Sequence, residues 1–302
     1  MDIPRLHGSA ADELDQFFTD PIVASACVDM VDGIVVGGIA HFDVVVEPSF
    51  GEGAFLRPLL AKVASPGRLR FFDIDCVDPA HKRDFIDPRS ILDAIPDAIP
   101  DAITGSVLTI GNPPFGKNSS LAVKFFNRAA EFSDTIAFIL PRTFRKRSVR
   151  SRLNREFVLV YEEALGRDSF VFKGTPRDVP SVFQVWSRGR FLDHIKSYPI
   201  NHEGVDMPDG QDFVFCKASE RPDFAIRRVG VNAGRIFTDT PAERSAQSHL
   251  FVRALEACNR VSILGALRSL DLEHAECKFD TAGCPSISKT EIYKLYNKRR
   301  RQ

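Results

Sequence analysis

Six short runs of apolar, β-favouring residues, separated by stretches of helical character, constrain the fold of this chain more than any other feature. They lie at about 42–47 (Phe-Asp-Val-Val-Val-Glu), 69–74, 106–110, 135–140 (Thr-Ile-Ala-Phe-Ile-Leu), 157–162 and 181–187. The runs are close to continuously apolar rather than alternating, which is the pattern of strands covered on both faces, as in a parallel sheet. Helices are predicted between them at about 21–31, 54–63, 119–132 and 142–154. Asp20-Pro21 is a strong start for the first, because Asp accepts from N-terminal N–H groups and Pro presets the first helical φ. The alternation predicts a doubly wound α/β domain over roughly residues 15–190, so the first domain is set at 1–190. Ser187-Arg188-Gly189-Arg190 marks a boundary, and 191–302 reads as a small α+β region with helices at about 243–257 and 288–298. Ser288 and Glu291 are placed as a capping box for the second of these. The repeat Asp93-Ala-Ile-Pro-Asp97-Ala-Ile-Pro-Asp101 has Pro at every fourth position, which prevents a regular helix and predicts a connecting loop.

Composition narrows the class. With 302 residues, 44% hydrophobic and 26% charged, the chain is long enough for one large domain and a smaller appendage. No apolar run approaches the ~20 residues that span a bilayer, and the N-terminus lacks a signal-peptide layout, so a cytoplasmic location without membrane contact is expected. The six cysteines form no CxxC pair and have no histidine at zinc-like spacing. They are read as thiols in a reducing compartment, and no metal site is expected. A formal net charge of zero excludes a globally basic nucleic-acid binder. Basic residues are nevertheless clustered at Arg142, Arg145, Lys146, Arg147, Arg150, Arg152 and Arg155, and again at Lys298-Arg299-Arg300-Arg301. Such runs are either solvated faces or a basic track beside a cleft.

The chemistry concentrates at Asn112-Pro113-Pro114-Phe115-Gly116, directly after a predicted strand and before the helix-capping cluster Asn118-Ser119-Ser120. Two consecutive prolines fix two φ angles and remove two N–H donors. A stiff turn is therefore held at the C-terminal end of a strand, where open α/β sheets bind ligands. Its amide side chain, free carbonyls and aromatic ring suit a planar group bearing an exocyclic NH2. Pro-Pro after Asn is also a common loop sequence, so the motif gains meaning only from its surroundings.

Upstream, the strand at 42–47 ends in Glu47 and runs into Pro48-Ser49-Phe50-Gly51-Glu52-Gly53, just before a helix. Glycines there permit a tight turn and close approach of a ligand. A carboxylate at the turn repels phosphate and suits a cationic amine or sulfonium. The next strand ends Asp73-Ile74-Asp75, the place for an acidic partner of ribose hydroxyls. Asp84-Phe85 follows, with an acceptor for an exocyclic amine and a ring to cover a base.

In this order, Glu47-Pro-Ser49-Phe-Gly51-Glu-Gly53, Asp73-Ile74, Asp84-Phe85 and Asn112-Pro-Pro-Phe115 resemble S-adenosylmethionine-dependent amino-methyltransferases of the N6-adenine group. Phe17-Phe18-Thr19-Asp20-Pro21 is similar to the Phe-Thr-Pro element that caps the cofactor in that family, with Asp20 interrupting Thr-Pro. The motif order, with spare chain afterwards, resembles the gamma-type arrangement with a C-terminal target-recognition region. The resemblance covers roughly residues 15–187. It implies a Rossmann-like doubly wound methyltransferase sheet with S-adenosyl-L-methionine as cofactor. Glu47 and the Gly51/Gly53 turn with Ser49 would hold the cofactor's methionine moiety, Phe18 and Thr19 would cap the cofactor, Asp73 and Ile74 would meet its ribose, and Asp84 and Phe85 its adenine. Asn112, Pro113, Pro114 and Phe115 would orient a flipped target adenine. The implied partner is nucleic acid, DNA ahead of RNA, and the basic residues Arg145, Lys146 and Arg147 are the candidates to contact it. Phe170 or Phe172 could supply a second aromatic clamp, although core packing is the commoner role of any one of 25 phenylalanines. Three other readings stand beside this one: an RNA adenine enzyme, a protein glutamine methyltransferase (which usually carries Tyr at the position of Phe115), and a non-catalytic binding protein on the same fold.

Overall fold

A computed structural model describes residues 18–72, 85–86, 105–172, 175–196, 212–255, 259–281 and 283–300. The chain divides into two compact units, Met1–His202 and Glu203–Gln302.

The first unit is built on a six-stranded sheet. Its strands are β2 (Val44–Glu47), β3 (Leu69–Phe71), β4 (Val107–Gly111), β5 (Thr135–Pro141), β6 (Phe157–Ala164) and β9 (Ser181–Arg188), in the order β3-β2-β4-β5-β9-β6. Pairs β2–β3, β2–β4 and β4–β5 are parallel. The sheet expected from the apolar runs is thus present, but it is mixed: β9 enters antiparallel between β5 and β6. Runs buried on both faces look alike in either direction, which is why composition alone does not reveal the reversal.

Side chains alternate across the sheet and both faces are covered. Val45, Leu108, Ile110, Ala137 and Ile139 face one core with helix α1 (Pro21–Ile34). Val46, Val107, Ile136, Phe138 and Leu140 face the other with α3 (Ser120–Ala129). Helix α1 starts as read: Asp20 accepts from Ile22 N–H at 2.8 Å, and Pro21 is its first residue. A shorter helix, α2 (Leu56–Lys62), follows the glycine turn. A small antiparallel sheet of β1 (Phe18–Thr19), β7 (Phe170–Phe172) and β8 (Thr175–Arg177) lies in the same unit.

The helix expected over 142–154 is reduced to a 3₁₀ turn at Arg142–Arg145 and one α-turn, α4 (Arg147–Arg150). Lys146 takes an extended conformation between them, at φ −78° and ψ 136°, and breaks the helix. Chain beyond residue 190 still belongs to this unit, since Val35 bridges to Ile195 and Lys196 N–H donates to Ile34.

The second unit is α+β. It has a four-stranded antiparallel sheet in the order β10-β13-β11-β12, made of β10 (Phe213–Cys216), β11 (Phe224–Arg227), β12 (Ile236–Phe237) and β13 (His249–Ala254). Helices α5 (Arg260–Arg268) and α6 (Lys289–Arg300) contribute Ile263, Leu267, Ile292, Tyr293 and Tyr296 to its core. The helix expected at 243–257 is instead strand β13, because His-Leu-Phe-Val is β-favouring and pairs on both sides, with β10 and β11. The capping box before α6 forms as read: Ser288 N–H donates to Glu291 at 2.7 Å, and Glu291 N–H to Ser288 Oγ at 3.3 Å. The proline-rich repeat at 93–103 lies outside the described residues, apart from its flank.

Candidate active site

Strand order reverses between β2 and β4, because the connection from β2 leads to β3 on one side while β4 and β5 lie on the other. A crevice forms beyond the carboxyl ends of strands at such a switch point. The turn after β2 and Asn112 after β4 both sit there. An open cleft is lined by Phe18, Thr19, Ser49, Phe50, Gly51, Glu52, Ala54, Phe55 and Asn112. Three sequence segments far apart in the chain therefore meet at one place.

Each segment is held by identifiable contacts. Strand β1 brings Phe18 and Thr19 to the cleft by pairing with β7, Thr19 opposite Phe170, and Asp20 N–H donates to Ser169 O at 3.0 Å. The turn after β2 is pinned to the sheet at both ends, with Phe72 N–H donating to Glu47 O and Phe50 N–H to Phe72 O, both at 2.9 Å. Gly53 N–H closes it on Phe50 O at 2.8 Å. Gly51 has φ +53°, and a Cβ there would sit 3.2 Å from Phe18 Cδ1, so this residue also lets the β1 aromatic ring close on the turn.

Glu47 is 1% exposed. Its Oε1 accepts from Ser49 N–H at 3.1 Å and lies where a Cβ on Gly111 would come within 2.3 Å of it. The carboxylate expected to meet a ligand amine is thus held under the turn by Ser49, packed close against Gly111 at the end of β4. Among the described lining residues the charged side chain is Glu52, which is exposed. The cleft therefore offers negative charge, two hydroxyls, an amide and aromatic faces. That donor set fits a cationic ligand with apolar parts and disfavours a phosphate.

Pro113 is buried and Asn112 half-buried at the cleft wall. Phe115 is 8% exposed and meets Phe170 edge-on, ring centroids 6.4 Å apart. In this arrangement its ring is part of the core and does not line the cleft. The segment that follows is fastened to the end of β5 by a hydrogen bond between the Ser119 and Thr143 hydroxyls. Ser119 is in the left-handed region and makes no side-chain cap to α3, contrary to the capping expected of it.

Phe85 packs against other rings. It is 1% exposed, stacked on Phe125 at 5.4 Å and edge-on to Phe72, so it fills the core instead of covering a ligand ring. Asp73, Ile74 and Asp84 lie outside the described residues. Phe50, Glu52, Ala54 and Phe55 line the cleft without having been singled out. Their position within the glycine turn was the available signal. Arg145 is tied by its Nε to Glu162 at 2.9 Å, and Arg150 reaches the same carboxylate at 3.4 Å. Arg147 is exposed and Lys146 half-buried. The basic segment is thereby split into a structural part and a solvent-facing part. No group of three or more His, Cys, Asp or Glu that could hold a metal occurs among the described residues. No helix among them is long and apolar enough to cross a membrane.

No family model matches the chain. It is 27% identical over 256 residues to Protein ENHANCED DOWNY MILDEW 2 of Arabidopsis thaliana, a match that takes in 80% of this chain. The chain spans 19% of the length of that relative. Among solved structures, a type I restriction-modification methyltransferase subunit from Streptococcus thermophilus aligns with TM-score 0.41 and 14% identity, covering 86% of this chain and 55% of that one. A provisionally named RNA methyltransferase from Pyrococcus horikoshii gives 0.39 and 17%, covering 61% and 94%. The 23S rRNA methyltransferase ErmE gives 0.36 and 16%, covering 57% and 70%.

Proposed function

We propose that the chain transfers a methyl group from S-adenosylmethionine to the exocyclic N6 amine of adenine in nucleic acid, DNA ahead of RNA. The observation that carries this reading is the cleft in which Phe18-Thr19, the Ser49–Phe55 turn and Asn112 converge at the sheet's switch point. The turn that would take the cofactor and an amide suited to an NH2 group line the same cleft.

Bound in this cleft, S-adenosylmethionine supplies an electrophilic methyl group on a sulfonium. Glu52 and the acidic character of the turn favour that positive charge, and the Thr19 and Ser49 hydroxyls offer hydrogen bonds to its polar end. Phe18 and Phe50 provide apolar faces. Asp73, Ile74 and Asp84 remain assigned to the ribose and adenine on the strength of the motif order.

An exocyclic adenine amine is a weak nucleophile, because its lone pair is delocalised into the ring. Asn112 Oδ1 and the Pro113 carbonyl accept its two N–H bonds, which draws the nitrogen toward tetrahedral geometry and frees the lone pair. Pro113 and Pro114 keep those acceptors in place. Positioning of this kind contributes up to ~7–11 kcal/mol in favourable systems. No strong general base is needed, since the nitrogen loses a proton after it has become cationic. The target must leave its stack to reach the cleft. For Phe115 to stack on it, the ring has to leave its contact with Phe170.

Incubating the chain with radiolabelled S-adenosylmethionine and DNA, RNA and protein pools in parallel tests the proposal. Label in N6-methyldeoxyadenosine is the expected result. Label confined to N6-methyladenosine moves the substrate to RNA. Label in protein glutamine, or none despite cofactor binding, refutes the adenine assignment.

A further inference from the structure

The second unit carries a group of arginines of which two have no carboxylate partner among the described residues. Arg227, the last residue of β11, is next to Arg235, just outside β12, whose carbonyl accepts Arg227 N–H at 2.9 Å. Like charges facing each other across adjacent strands destabilise a sheet. Neither guanidinium has a carboxylate partner among the described residues. Arg227 Nε donates to the Val229 carbonyl at 3.2 Å, and Arg235 lies 5.7 Å from the centre of the Phe237 ring. Arg244 covers the same ring at 4.0 Å and is the member of the group with an acidic partner, Asp239 at 2.8 Å.

His249, opposite Arg227 on β13, completes the group. It is 7% exposed and meets Phe237 edge-on at 5.4 Å. Its Nδ1 lies 3.0 Å from the Ser248 hydroxyl and 3.2 Å from the Ser245 carbonyl. Nε2 is buried and has no hydrogen-bond partner among the described residues. Burial first, and then the fields of Arg227 and Arg244, hold this imidazole below its ordinary pKa.

β12 is an edge strand, so Arg235 and Phe237 stand at the open side of the sheet. A polyanion relieves the Arg227–Arg235 repulsion, and guanidinium planes layered on an aromatic ring present a stacking platform to an unstacked base. We propose that Arg227, Arg235 and Arg244, layered around Phe237 and His249, dock a single-stranded nucleic acid, phosphates on the arginines and a base on the exposed guanidinium face. The choice of nucleic acid among polyanions rests on the methyl-transfer reading above. The site itself lies in the second unit and includes none of the cleft residues.

The test is fluorescence anisotropy of the full chain with a labelled single-stranded oligodeoxynucleotide over a range of salt concentrations. Arg227→Gln/Arg235→Gln is expected to lower affinity about tenfold and to reduce the slope of log K against log salt by about 1.4, the sum for two phosphate contacts. Arg235→Gln alone, at an exposed position, is expected to give half that change in slope and guards against a folding defect in the pair. Unchanged affinity and slope in both variants overturn the proposal, as does failure of the parent chain to bind the strand. Cofactor binding by calorimetry is measured on the same samples. A chain that binds strands through these arginines but transfers no methyl group sinks the catalytic reading and leaves this one standing. Methyl transfer together with an unaltered salt slope does the reverse.

Discussion

At the scale of single residues, Asn112 and Gly111 separate chemistry from construction. Asn112 stands at the cleft wall, so Asn112→Ala removes an acceptor that orients the target and leaves the cofactor's turn intact. Methyl transfer should fall at least ~100-fold, with cofactor affinity within a few-fold of the parent by calorimetry. A variant that loses cofactor binding instead has had its roles misassigned. Gly111→Ala acts on the frame. Its Cβ would come within 2.3 Å of the Glu47 carboxylate and 3.1 Å of Pro48, both buried. A loss of about 1–3 kcal/mol in urea unfolding is expected, with weakened cofactor binding because the Ser49 tie is displaced. The turns that carry Asn112, Gly51 and Gly53 were legible in the sequence because turn chemistry is local, whereas Thr19 reaches the cleft through pairing with Phe170, far along the chain. The burial of Phe85 and Phe115 was not legible, because it depends on Phe125, Phe72 and Phe170, which the fold brings in from distant elements.

At the scale of elements, the segment after β5 shows what charge runs conceal. Seven cations read as one patch in sequence. In the structure Glu162 on β6 takes Arg145, Arg150 and the Gln184 amide, and Gln184 in turn accepts from Trp186 Nε1 at 3.0 Å. Glu162→Ala leaves two half-buried guanidiniums without that carboxylate and should cost about 1–2 kcal/mol, read from the denaturation midpoint. Arg147→Ser, at an exposed position, should leave stability alone and lower the salt dependence of strand binding. If the two variants exchange these effects, the division of the segment is wrong. Periodicity located both long helices of the first unit, since each buries one continuous stripe. It misread 243–257, where helix-compatible residues lead into a strand whose neighbours, β10 and β11, are far away in sequence.

At the scale of the whole molecule, the two units should respond differently to acid. His249 has its folded pKa below the ordinary value of 6.5, so the unfolded chain binds the proton more readily. The stability associated with the neutral imidazole is complete above pH 6.5 and is lost as pH falls through the folded pKa. Urea unfolding of the second unit should therefore weaken below about pH 6.5, and His249→Gln should flatten that dependence; an identical pH profile in the variant counts against it. The insertion of β9 between β5 and β6 has a different consequence, one of order in time. Strand β5 is buried along its whole length, yet the partner on its far side is 40 or more residues later in the chain. Until residue 188 has been made, Thr135–Pro141 offers an unpaired apolar edge, and β6 has nothing to join. Non-local pairing of this kind is slow and exposes aggregation-prone surface. A nascent or truncated chain ending before β9 is therefore the form of this protein most in need of a chaperone.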